Sequence, residues 1–292
     1  MIIDMHTHTF PEKLAAGTLD KLSHMSHTVP FSDGTTDGLL AKAGEAGIDL
    51  SVVLPVATAA RQTAHINDAS ARLNEACAGR GIFSFGCMHP DVPDYQAELS
   101  RVASLGLKGI KVHPVYQDAD LDDLRYLRIF ARAAELNLIV VTHAGLDVGY
   151  PGVVRCSPQM ARRVVREIGD FAFVLAHMGG WNNWEEVPEA LADTGVFLDT
   201  AFSTERMTPL PDHRPHPWDL QMLDEEGFLR IFRAFGADRL LFGTDSPWSP
   251  QKESLAFIEG LPLLREEKDK ILGGNAEKLL GLRTQERNCG KS

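Results

Sequence analysis

The chain is expected to fold as an α/β protein, a (β/α)8 TIM barrel slightly elaborated by loops. Three observations predict it. Eight short apolar runs recur along the 292 residues, helical periodicity fills the gaps, and polar residues of metal-ligand type end several of the runs. A doubly wound open sheet is the structural alternative, disfavoured because no glycine-rich phosphate turn follows any run.

The runs are Ile2–Met5, Ser51–Val56, Ile82–Cys87, Leu107–Val112, Leu138–Thr142, Phe171–Ala176, Val196–Asp199 and Leu240–Gly243. Most are continuous rather than alternating, as strands buried on both faces of a parallel sheet require. Leu121, Leu124, Leu127, Ala131 and Ala134 recur at spacings of three and four, which places one apolar stripe on a helix. Met160, Val164 and Ile168 do the same behind Pro158, a residue suited to a first helical turn. Further helices are expected at Leu39–Ala46, Asn67–Ala78, Tyr95–Ser104, Trp184–Ala192, Phe228–Phe235 and Glu253–Ile258. Gly17–Asp37 reads as a long connection over the barrel mouth. Residues 1–282 are expected to form one domain, and 283–292 a flexible tail.

An apolar fraction of 44% supplies a sizeable core, and a net charge of −11 argues against nucleic acid or an anionic membrane as partner. Cys77, Cys87, Cys156 and Cys289 are scattered, with neither disulfide-framework nor thiolate-zinc spacing. No apolar run is long enough for a membrane span, and the first strand leaves no room for a leader, so a cytoplasmic protein is expected. A small-molecule substrate and, as an option, a homo-oligomer complete the expected partners.

His6-Thr7-His8 closes the first run. Alternation along a strand would point His6 and His8 the same way, together with Asp4. Alone, a His-x-His is weak evidence. Later run ends add His89, Lys111, His113, His143, His177 and Asp245. In a barrel these ends share one mouth. Each residue has a bland reading, a satisfied core histidine or a helix-capping aspartate. Together they favour a divalent metal held by imidazoles and a carboxylate, zinc first and manganese second.

These motifs resemble the amidohydrolase superfamily. His6-Thr7-His8, Gly109-Ile110-Lys111-Val112-His113-Pro114, Thr142-His143-Ala144-Gly145, Ala176-His177-Met178-Gly179-Gly180 and Phe242-Gly243-Thr244-Asp245-Ser246-Pro247 occur in its order. The terminal Gly274-Asn275-Ala276-Glu277 segment is similar to the ending of its amidohydrolase-related branch of metal-dependent barrel hydrolases. The resemblance implies His6, His8, His143 and Asp245 as metal ligands, with His177 catalytic or a ligand to a second ion. It also admits a carboxylated Lys111 bridging two ions. One ion is preferred, because His113 shares the inward face with Lys111 and crowds a second.

Substrate-facing candidates are His113, Tyr116, Arg155 and Trp181, with Trp184 and Arg206 behind them, while His24, His27, His213 and His216 are expected at the surface. The expected activity is hydrolysis of a small ester, lactone or amide by metal-activated water, with Asp245 as proton shuttle and His177 polarising the carbonyl. The alternative is metal-dependent nonoxidative decarboxylation of an aromatic or muconate-type acid. A noncatalytic metal- or ligand-binding barrel would require Asp245 to point away from the metal.

Overall fold

The computed structural model describes residues 1–204, 207–211 and 222–282. Its strands are β1 (Ile3–Thr7), β2 (Leu50–Val53), β3 (Ile82–Ser84), β4 (Gly86–Cys87), β5 (Gly109–Val112) and β6 (Ile139–Thr142). Then come β7 (Leu146–Asp147), β8 (Tyr150–Val154), β9 (Phe173–Leu175), β10 (Phe197–Asp199) and β11 (Leu240–Leu241). The helices are α1 (Glu12–Ser26), α2 (Thr36–Ala46), α3 (Thr63–Ala76), α4 (Tyr95–Ser104), α5 (Leu124–Glu135) and α6 (Pro158–Ile168). They continue with α7 (Val187–Leu191), α8 (Glu225–Phe235), α9 (Gln251–Gly260), α10 (Arg265–Asp269) and α11 (Asn275–Leu279).

All eight expected runs form strands. β3 and β4 are split by Phe85 alone and act as one stave. Parallel ladders run β1-β2-β3 and β11-β10-β9-β6-β5-β4. Backbone bonds from Met5 N to Phe242 O (2.9 Å), Asp245 N to His6 O (2.8 Å) and His8 N to Ser246 O (2.6 Å) tie β1 to the chain around β11 and close the ring. Ile3, Met5, Val52, Leu54, Phe85, Ile139, Val141, Val174 and Leu241 pack in one cluster inside it. Their strand neighbours Ile110, Val112, Val140, Phe173 and Leu175 face the helices. Parallel strands wrapped by helices are apolar on both faces, which explains the continuous runs.

Helix starts follow local chemistry. Ser157 accepts from Met160 N at 3.2 Å ahead of Pro158, and Asp123 accepts from Arg125 N at 2.8 Å, so α5 opens at Leu124 and leaves Leu121 in the preceding loop. Three expectations are corrected. Gly17–Asp37 is not one long connection: α1 runs through Ser26 because Ala15, Leu19 and Ser23 make a buried stripe at four-residue spacing. The helix expected over Trp184–Ala192 is confined to Val187–Leu191. And a register shift between Asp4 and Thr7 breaks the alternation of β1, so Asp4 does not share a face with His6 and His8. Its carboxylate instead accepts from Thr244 Oγ1 (2.6 Å) and Gln251 Nε2 (2.9 Å).

Cys77, Cys87 and Cys156 are buried and free. No helix among the described residues is long and apolar enough to cross a membrane. Arg206, His213, His216, Cys289 and the 283–292 tail lie outside the described residues.

Candidate metal centre

Three side chains meet at the barrel mouth. His6 Nε2 lies 3.2 Å from His8 Nε2 and 3.4 Å from Asp245 Oδ1, and His8 Nε2 lies 3.0 Å from the same oxygen. The second nitrogen of each ring is committed: His6 Nδ1 donates to Asp199 Oδ2 (2.8 Å) and His8 Nδ1 to Leu54 O (2.8 Å). Those partners assign the tautomers and leave both Nε2 lone pairs facing a carboxylate oxygen. Three acceptors so arranged repel unless a cation joins them. Ligands about 2.1 Å from a common ion, at tetrahedral or octahedral angles, stand about 3.0–3.4 Å apart, which is the spacing found here. The trio therefore fits a divalent metal.

Burial drives the His6 pKa well below its ordinary value, with the Lys111 charge adding to the effect, so the neutral ring a metal needs is favoured. Burial would raise the Asp245 carboxyl, but the His8 contact and the neighbouring imidazoles hold it below the usual carboxylate range. Lys111, fully buried on β5, places Nζ 3.2 Å from His6 Nε2. Burial pulls its amine down to about 8, opposed by Asp199 and Asp245.

His143 and His177 form a second pair beside the trio. His143 Nε2 donates to Leu146 O (3.0 Å) and His177 Nδ1 to Ala201 O (2.8 Å). Their other nitrogens, His143 Nδ1 and His177 Nε2, face each other at 3.0 Å and need a shared proton or a cation between them. The His177 ring stands 5.4 Å from that of His6, centroid to centroid. Both His177 (φ 58°) and Asp245 (φ 65°) hold left-handed backbone, a conformation costly for non-glycine residues and common at functional sites.

Of the substrate-facing candidates, His113, Tyr116 and Trp181 line the cavity above the trio. Arg155 does not: its guanidinium is held outside by Asp118 and Asp120, which flank the turn before α5. Trp184 packs inward, its Nε1 donating to His177 O at 2.9 Å. His89 is taken up locally, Nδ1 accepting from Asp91 N at 3.1 Å. His24 and His27 are exposed. Sequence reasoning missed Asp199, although it ends the seventh run and the same rule applied to the other runs would have found it. It also missed Asp147, which lies in a hairpin with no apolar-run signal, and Arg61, an exposed residue after β2 that lines the cavity and pairs with no carboxylate among the described residues.

Imidazoles from β1 and an aspartate after β11, at the mouth of a (β/α)8 barrel, define an amidohydrolase-type barrel. The chain belongs to the amidohydrolase family, whose model matches residues 3–282. No curated protein sequence matches it. Among solved structures, an uncharacterized TIM-barrel protein from Bordetella bronchiseptica is similar at 19% identity and TM-score 0.74, over 96% of this chain and 98% of that one. A 5-carboxyvanillate decarboxylase from Sphingomonas paucimobilis is similar at 16% identity and TM-score 0.68, over 96% and 98%. A dihydroxybenzoic acid decarboxylase from Polaromonas sp. JS666, with bound manganese and the inhibitor 2-nitroresorcinol, is similar at 17% identity and TM-score 0.67, over 96% and 97%.

Proposed function

We propose that this protein is a divalent-metal-dependent, nonoxidative decarboxylase of an aromatic carboxylic acid. The observation that carries the reading is the wall of the cavity. Phe10, Tyr116, Tyr150, Trp181, Phe202 and Trp248 line the same cavity as His6, His8 and Asp245. Planar side chains around a floor that would hold a divalent cation suit a planar, apolar ring that bears an anionic group. Solved relatives of the same fold that act on aromatic acids support this choice over hydrolysis, the first expectation from sequence.

A zinc or manganese ion held by His6, His8 and Asp245 would supply the positive charge that anchors a substrate oxygen. The chain supplies the rest. The aromatic walls would stack on the ring and exclude water, and Arg61, exposed and lining the same cavity, would pair with a carboxylate. Loss of carbon dioxide leaves the ring carbon in need of a proton. A proton carried between His143 Nδ1 and His177 Nε2, which lie 3.0 Å apart, would serve that transfer. One ion is the reading adopted, with His143 as its neighbour on the β6 side.

Hydrolysis is the second reading, favoured by one feature: the His143–His177 pair beside Lys111 offers donors for a second ion. A noncatalytic barrel loses its premise, because Asp245 points into the trio. The test is a panel of hydroxybenzoates, 5-carboxyvanillate, lactones and amides given to manganese- or zinc-loaded protein, with carbon dioxide release and hydrolysis scored separately. Hydrolysis without carbon dioxide release from any acid would overturn the proposal.

A further inference from the structure

One buried carboxyl in the cavity has no part in the scheme above. Asp147 ends β7, in the hairpin that follows β6, and is nine-tenths buried. Its Oδ1 accepts from Gly149 N at 2.8 Å. Its Oδ2 meets His113 Nε2 at 3.4 Å, a long contact for an N–H donor. Asp147 lines the cavity, so this oxygen is left open there to accept a hydrogen bond from a ligand.

His113 cannot swing closer. Its backbone N donates to Gln117 Oε1 at 2.9 Å, and its ring is clamped between Tyr116 (centroids 3.8 Å) and His143 (4.3 Å). One explanation would be a second metal, since ligand atoms of His113, His143 and Asp147 lie within 4.8 Å of one another. Ring geometry opposes it. The His113 and His143 planes differ by 16°, so their in-plane lone pairs run side by side and do not converge on one ion. The unmet oxygen is better matched to a ligand's donor.

We propose that Asp147 Oδ2, backed by His113, is a specificity-determining group that accepts a hydrogen bond from a ring hydroxyl of the aromatic ligand. This rests on the aromatic-acid reading and narrows it to hydroxy-substituted rings. Burial raises the Asp147 carboxyl to about 7, with the Asp245 charge adding to the effect, so its oxygen accepts best at and above neutral pH. An apolar substituent there would leave the oxygen unmet, and sites built around a hydrogen bond discriminate strongly against ligands that lack it.

Binding without turnover tests the proposal. The probes are 2-nitrophenol and its ring-hydroxylated derivatives, 2-nitroresorcinol among them, titrated calorimetrically into manganese-loaded wild type, Asp147→Asn and Asp147→Ala. Circular dichroism and metal content verify the fold. At least one hydroxylated probe is expected to bind wild type about tenfold or more tighter than 2-nitrophenol. Asp147→Ala should remove that ratio and Asp147→Asn keep part of it. A ratio that survives Asp147→Ala, equal binding of all probes by wild type, or no binding of any probe overturns the proposal. Carbon dioxide release is measured separately, so this hydroxyl subsite and the decarboxylase reading can fail independently.

Discussion

His6 Nδ1 donates to Asp199 Oδ2 at 2.8 Å, while Asp199 Oδ1 accepts from the backbone N–H groups of His177 (3.0 Å) and Ala201 (3.1 Å). One carboxylate from β10 thus orients a ring on β1 and the turn that carries His177. Burial raises its pKa to about 6, against the opposing charges of His177 and Lys111.

Asp199→Asn should keep the fold but weaken metal binding. The amide oxygen can still serve His177 and Ala201, but its NH2 would face His6 Nδ1 and move the ring proton to Nε2, where the metal must bind. A loss of about 10–100-fold in manganese or zinc affinity is expected, measured by chelator competition. Unchanged affinity would remove Asp199 from the site.

Asp245→Asn should also stay folded. Replacing the charged member of the trio by a neutral amide is expected to cost about a hundredfold or more in turnover. Near-wild-type turnover with intact metal would exclude Asp245 from the chemistry.

Purified protein should hold one tightly bound divalent ion per chain, and Lys111→Ala should leave that stoichiometry near one. Two ions in wild type with density on the Lys111 amine would reverse the single-ion choice. Chelation should lower Tm by on the order of 10 °C if metal stood near a thousandfold its Kd, because saturation then stabilises by about 4 kcal/mol. Readdition should restore both Tm and turnover.

Gly145→Ala should be severe. Gly145 has φ +88°, and an added Cβ would overlap the backbone N and O of Trp181. That close approach lets Trp181 N donate to Ala144 O (2.8 Å) and Leu146 N to Trp181 O (2.9 Å). A loss above about 3 kcal/mol is expected, read by urea unfolding. A loss under about 1 kcal/mol would show that the loop yields.

Cys156 makes stability sensitive to alkali. Burial lifts its thiol from 9.0 to about 12, against the Thr142 hydrogen bond and the Lys111 charge. Between those values the unfolded chain has lost a proton that the folded chain keeps. The contribution is therefore present in full below pH 9.0 and is lost as pH rises towards 12, at up to about 1.4 kcal/mol per pH unit. Unfolding midpoints across that range should fall less steeply for Cys156→Ala than for wild type.

The sequence by itself determined the barrel, because strands buried on both faces must be apolar throughout, and Ile139-Val140-Val141 reads the same whichever way each residue turns. It also singled out His6, His8 and Asp245 as candidates, since a barrel brings every strand end to one mouth, and the fold brings these three together. Direction was a different matter. Whether Asp4 joined the histidines depended on a register shift in β1, and Arg155 turned to Asp118 and Asp120 outside the cavity. The role of Asp199 depended on β10 standing where its carboxylate meets a ring 193 residues earlier. Asp147 reached the cavity through a hairpin whose apolar residues are interrupted by Gly149, Pro151 and Gly152. Local patterning encodes which face is buried, but only the closed barrel sets which buried polar atoms meet, because those partners are far apart along the chain.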